Sequence, residues 1–379
     1  MKKLLNRAAD YLRECDKVLF LLIIVATLFG SIEVLSSTYY VMSGLRQFIM
    51  HIFGLVIGLV AVVMISSINY RSIIRVWLPI AVIILVPVLL TFVIGYAPPG
   101  TDDKAWLLLP GGISIQPAEF LKIAFILSFS WHLSKVGDGI SKLKNILLLC
   151  VHGAIPVMLI HIQGDDGTAL IFAIMFVAMM FAAGLKLRYF AIAGGAAVVG
   201  APIIYFFVMN DAQRSRIYSL LFPTEEDYLG ILWQQSRGRS ALANGGIFGQ
   251  GIFHGSLVQS GSIPEGYNDF IFCSIGEEFG LIGCLAVIAL LVLVCLRVLK
   301  ISKSTSDRTG LFICTGAFAM IAGQTIINIG MNITLMPVIG ITLPFFSAGT
   351  TSLLTVFISM GLVMSVYMHR TSGMIYLHD

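Results

Sequence analysis

Apolar residues fall along this chain in blocks about as long as the roughly 20 residues a helix needs to cross a bilayer core. Ten such blocks lie near 18–36, 48–66, 73–97, 117–135, 145–162, 167–185, 188–209, 269–297, 309–333 and 348–368. Several are interrupted by Gly or Pro, which spanning helices tolerate because neighbours satisfy the freed backbone groups. The pattern predicts an all-α polytopic membrane protein of ten transmembrane helices in one domain over 1–379, with an N-terminal tail at 1–17. The longest polar interval, about 210–268, separates helices seven and eight, and loops of this length are uncommon without a function.

The positive charges give the orientation. With both termini cytoplasmic, most of the 24 Lys and Arg fall on inner segments. The outer segments then hold Arg46, Lys104, Arg214, Arg216, Arg237 and Arg239, and Lys122 is left within a span. That is the bias expected of short cytoplasmic loops. The acids are skewed the other way. Asp102, Asp103, Asp165, Asp166, Asp211, Glu225, Glu226, Asp227, Glu265 and Asp269 all fall on or beside the outer face. Acidic residues contribute little to topology, so this skew points to chemistry outside.

Composition agrees: 58% of residues are hydrophobic and 12% charged, with a mean hydropathy of +0.93. Such a chain has too few polar residues to cover a soluble surface. The six cysteines are scattered without CxxC or Cys/His spacing, so neither a disulfide framework nor a zinc site is indicated. The start, Met1-Lys-Lys-Leu-Leu-Asn-Arg7, lacks a small-residue cleavage site, so the first apolar block reads as a retained span.

The sharpest candidates for chemistry are charges at membrane boundaries, where a carboxylate costs up to about 2.5–3.5 kcal/mol on insertion scales. Asp269 stands where the polar loop Ile263-Pro-Glu-Gly-Tyr-Asn-Asp269 meets an apolar run. It suits a base, or a helix-start acid satisfying backbone N–H groups. Glu119 and Lys122 share one helix face, either neutralising each other or presenting a cation to substrate. Glycines between Trp233 and Gly251 would let backbone approach a ligand closely, with Arg237 and Arg239 nearby to meet an anion. Glu277 and Glu278 read as interhelix bonding or as a catalytic or cation-binding pair, and His51, His161 and His254 show no ligand spacing.

Pro264-Glu-Gly-Tyr-Asn-Asp-Phe-Ile-Phe272 followed by Gly276-Glu-Glu-Phe-Gly280 resembles the SEDS family (shape, elongation, division and sporulation proteins), the RodA/FtsW/SpoVE group, with the RodA-like branch preferred. Gln116-Pro-Ala-Glu-Phe-Leu-Lys122, Ile327-Asn-Ile-Gly330 and the run Leu335 to Ser347 extend the resemblance over nearly the whole chain. The sequence departs from the family pattern at Gln163-Gly-Asp-Asp-Gly167, at Ser347-Ala-Gly-Thr-Thr-Ser352, and before Trp106, where Lys104 alone replaces a basic pair.

The resemblance implies peptidoglycan glycosyltransfer in the bacterial cytoplasmic membrane: lipid II is polymerised at the outer face and undecaprenyl pyrophosphate released. It implies a class B penicillin-binding protein and other elongation or division membrane proteins as partners, and no nucleic acid. Asp269 would be the base. Substrate-binding or electrostatic roles would fall on Lys122, Glu119, Lys104, Trp106, Gln116, Asp165, Arg214, Arg216, Gln235, Ser236, Glu265 and Ser347. Trp106 serves equally as a sugar platform or as part of the interfacial aromatic belt, and the loop arginines as leaving-group donors or as a solvated surface. No metal motif is present; a divalent cation (Mg or Mn) at the pyrophosphate is the one cofactor candidate. A lipid flippase or transporter, and a noncatalytic scaffold for a synthase, are the competing readings.

Overall fold

In a computed structural model the described residues are 11–39, 44–97, 103–110 and 113–370. The chain is mostly helical. Its long helices are α1 (Lys17–Thr38), α2 (Gly44–Ser67) and, after the short α3 (Tyr70–Arg75), α4 (Trp77–Ile94). They continue with α5 (Pro117–Val136), α6 (Leu143–Ile162), α7 (Asp166–Ala182) and α8 (Leu187–Ile203). Four shorter helices follow: α9 (Asp211–Leu221), α10 (Glu225–Leu229), α11 (Trp233–Gly245) and α12 (Ser256–Gln259). Last come α13 (Ile271–Ser304), α14 (Arg308–Asn332) and α15 (Thr350–Met368). Among the described residues, 8 helices are long and apolar enough to cross a membrane. The 17-residue α7 is too short for that class, and α5, which carries Glu119 and Lys122, also falls outside it.

Two expectations need correcting. The fold is not purely helical: β1 (Leu107–Leu109) and β2 (Ile113–Ile115) form an antiparallel hairpin, extended by a Tyr96–Trp106 bridge. The span expected over 73–97 begins later, at Trp77, because the chain leaves helical geometry at Val76 between α3 and α4.

Burial is graded from centre to rim. Most of α14 and α15 is buried, whereas α8 has no buried residue along its length. The α2–α15 contact is close because small residues line it. A Cβ on Gly58 would meet the Phe357 ring at 2.4 Å, and one on Gly361 would meet Val62 and Ile65 at 3.0–3.3 Å. Small residues let backbones approach where lipid offers no hydrophobic drive to helix association. At the opposite end of the bundle from Asp269, buried Asp16 caps α1 by accepting the Leu19 N–H (2.9 Å) and receives Arg297 Nη2 at 2.7 Å. One carboxylate thus fixes a helix start and ties α1 to α13.

α13 is broken. Gly280 has φ 68° and ψ −165°, which unlinks the outermost turns from the rest. The chain at 246–251 fills the gap: Leu281 and Ile282 donate to Gly246 and Ile247, while Gln250 and Gly251 donate to Glu277 and Glu278. Glycine is required on both sides of this splice, since a Cβ on Gly249 would lie 2.2 Å from the Glu278 oxygen. The glycines expected to approach a ligand therefore approach a helix.

Candidate active site

Three segments meet around Asp269: its own turn, the α6–α7 turn around Asp165, which in turn receives Gln116 from the start of α5, and the loop 333–349 between α14 and α15. The last of these is stitched to the Asp269 turn. Ser347 Oγ donates to the Asn268 carbonyl (2.7 Å) and accepts the Leu343 N–H, and Ala348 N–H donates to Tyr267. From α14, Asn328 and Asn332, both fully buried, each donate to the Asp269 main-chain carbonyl at 2.9 Å. Asn328 also donates to Ile341 (2.7 Å), so a single amide joins the Asp269 turn to the loop.

With its backbone held this way, the Asp269 side chain is left open. Its Oδ1 is shielded from solvent and takes no hydrogen bond, while its Oδ2 lies against Gly340. Desolvation pushes the Asp269 carboxyl up to about 7, helped by the negative charges of Glu265 and Asp165. Asp165 lies across the same loop, since the adjacent Gly167 packs on Ile339 and Ile341. Burial pushes Asp165 up to about 6, against the Thr168 N–H it accepts at 2.8 Å, with Asp103 and Glu119 adding to the rise. Its second oxygen accepts from Gln116 Nε2 at 2.6 Å. Asp269 and Asp165 are thus two desolvated carboxyls, the second helping to raise the first, and Asp269 is brought toward the range of a base working near neutrality.

Of the other expected residues, Glu119 and Lys122 form a buried ion pair at 2.8 Å, with the Lys122 side chain wholly enclosed and Glu119 Oε2 unpartnered. Glu265 sits exposed at the rim with φ 48°, a left-handed geometry that costs a non-glycine residue about 1–3 kcal/mol. Phe345, in the facing loop, shares that strain at φ 70°. Trp106 is half-buried at the hairpin base and Lys104 is exposed beside it. The rest lie apart or are engaged in structure. Gln235 is buried, donating to the Met331 and Met336 carbonyls, and Ser236 lies half-buried one position on. Arg214 donates to the Met209 carbonyl and pairs with Asp211 at 3.6 Å, and Arg216 is exposed on α9. Asp102 lies outside the described residues.

Asn328 and Asn332 were not among the expected residues; two amides one turn apart in an apolar helix were the available signal. Glu33, fully buried in α1 with neither oxygen partnered, was equally visible as an acid inside an apolar block. Among the described residues, no three His, Cys, Asp or Glu side chains are grouped to hold a metal. A divalent ion here would need phosphate oxygens as most of its ligands, the usual habit of Mg²⁺.

The chain matches the FTSW_RODA_SPOVE family, described as "Cell cycle protein", over residues 15–372. It is 33% identical over 313 residues to the "Peptidoglycan glycosyltransferase MrdB" of Escherichia coli K12, covering 83% of each chain. It is 31% identical over 369 residues to the "Probable peptidoglycan glycosyltransferase FtsW" of Trichlorobacter lovleyi, covering 94% of this chain and 93% of that one. Among solved structures, a chain from a report on structural coordination of polymerization and crosslinking by a peptidoglycan synthase complex superposes with TM-score 0.81 at 24% identity. Rod shape determining protein RodA of Thermus thermophilus does so with TM-score 0.69 at 22% identity. Each alignment covers 94% of this chain and 98% of the other.

Proposed function

Because the chain belongs to the FtsW/RodA/SpoVE family of cell cycle proteins, we propose that it is a peptidoglycan glycosyltransferase with Asp269 as its base. The substrate is lipid II. The acceptor GlcNAc 4-hydroxyl loses its proton to Asp269 as its oxygen attacks the donor MurNAc C1. Undecaprenyl pyrophosphate departs with the bonding electron pair, and the α-linked donor becomes a β-linkage. The observation that carries this reading is the unpartnered, desolvated Asp269 Oδ1 in a carboxyl pushed up to about 7. A base raised in this way is basic enough to take a hydroxyl proton near neutrality, and its open oxygen is free to receive it.

The remaining roles follow from position. Gln116 and Asp165 form a polar wall opposite the base, Glu265 and Lys104 lie at the rim, and Trp106 offers an aromatic face to a sugar. Lys122, enclosed against Glu119, acts through that pair, and Glu119 is one of the charges that raise Asp165. A divalent cation would arrive with the pyrophosphate, held chiefly by its oxygens; no step above depends on it.

Ten crossings with both termini cytoplasmic account best for the charge asymmetry, and they make the 210–268 segment, folded as α9 to α12, an extracellular cap. A class B penicillin-binding protein is the proposed partner, in keeping with the synthase complex whose chain shares this fold. Purified protein given lipid II in detergent without a partner tests the assignment. Glycan polymer that disappears in a folded Asp269→Asn variant supports it. Transbilayer movement without polymer would favour a flippase, and neither activity would favour a scaffold.

A further inference from the structure

We infer that the protein carries a phospholipid site at the inner face, remote from Asp269, which holds the phosphodiester of an inner-leaflet glycerophospholipid between Lys186 and Arg308. A cavity of about 450 Å³ opens there among the inner ends of three helices: the turn after α5, the α7–α8 turn and the first turn of α14. Its lining is divided by polarity. Ile140, Leu311 and Phe312 form an apolar wall, while Asp138, Lys186 and Arg308 stand at the polar rim. That division matches a lipid whose chains lie along the wall and whose phosphate meets the cations. Basic pockets between spanning helices on the cytoplasmic side are a recognised setting for anionic head groups.

Two further observations indicate what fills the space. α8, which begins immediately after Lys186, has no buried residue, so the side of the cavity toward it is open to lipid chains. Lys186 also gives α8 no side-chain cap, leaving its first N–H groups at the same rim for an anion. At present Arg308 Nη2 is held by Asp138 Oδ1 at 2.6 Å, with side chains 57% and 92% exposed. An exposed pair of this kind is worth little, so a phosphodiester can take the guanidinium by displacing Asp138. Asp138 thus keeps Arg308 poised over the cavity until lipid enters. The leaflet assignment rests on the orientation proposed above. The binding measurement in detergent does not, so the two fail separately.

The test is native mass spectrometry of the full chain in detergent after mild delipidation, titrated with phosphatidylglycerol. The wild type should retain one lipid, and Lys186→Gln with Arg308→Gln should weaken its Kd at least tenfold. Ala183→Phe, which fills the cavity and keeps both charges, should weaken it comparably, and this variant decides the matter should the double variant misfold. Lys300→Gln with Lys303→Gln, equally basic positions at the inner end of α13, should leave it unchanged. Equal retention in wild type and the cavity variants overturns the proposal. So does an equal loss in the Lys300 and Lys303 variant, or saturation of the site by glycerol phosphate, which has no chains.

Discussion

Asp269 and Glu277 bracket the start of the same helix, and their surroundings are opposite. Glu277 is fully buried and saturated: its two oxygens accept the Leu257 and Val258 N–H groups, the Ser256 hydroxyl and the Asn244 amide, at 2.7–3.2 Å. It caps α12 and pins the outer loop to α13. Asp269 has equally good anchors, but they are spent on its main-chain carbonyl, and its Oδ1 takes no donor. A saturated carboxylate has no lone pair to spare for a proton. A desolvated, unsaturated one does, so hydrogen-bond occupancy tells Asp269 from Glu277 where the sequence shows only two acids.

Replacing each acid by its amide breaks or confirms that contrast. Asp269→Asn should cut lipid II polymerisation by roughly 10²–10⁴-fold, the range for loss of a positioned base, with membrane yield unchanged. Undiminished turnover in a folded variant would remove Asp269 from the mechanism. Next in size, Lys122→Met or Glu119→Gln leaves a buried charge without its partner, a loss of about 3–5 kcal/mol that should appear as low folded yield. A well-folded but inactive Lys122→Met would instead tie that lysine to chemistry. Glu277→Gln should cost about 1.5–3 kcal/mol through its charged hydrogen bonds, lowering Tm in detergent while activity per folded molecule persists.

The smallest effect concerns pH. Activity needs the ionised base, so kcat/KM should fall as pH drops through about 7. Glu265→Gln removes one of the negative charges that raise Asp269, so the acid limb should move to lower pH. A limb that stays in place would show that Glu265 does not act on the base. The same raised carboxyls bear on stability in a defined sense. Their folded-state values lie above the unfolded one, so their contribution is whole at low pH and is lost as pH rises through about 6 to 7.

Much of this was legible in the sequence. The apolar blocks located the long helices, and the polar-to-apolar step at Asp269 located the candidate base, because hydropathy and helix length are local properties. The i,i+3 pairing of Glu119 with Lys122 was legible for the same reason. What depends on distant partners was not. Nothing near Gly280 in the chain shows that residues 246–251 will splice into its break, and nothing near Gln235 shows that its amide will serve Met331 and Met336. The hairpin at 107–115 was hidden because its strands are three residues long, too short to display alternation. Asp166, counted among the acids of one face and as a departure from the family pattern, bridges His161 (2.5 Å) and Gln213 (2.6 Å), joining α6, α7 and α9.

The splice at Gly280 has a mechanical corollary. Four interlocking backbone bonds close it, and losing any one exposes polar groups that the others also shield, so 246–251 should detach all at once or stay docked. The first two turns of α13 then behave as part of the 210–268 segment, and amide exchange across 271–279 should rise or fall together with that of 246–251. A pull on that segment would reach the turn holding Asp269 without unwinding the helix below.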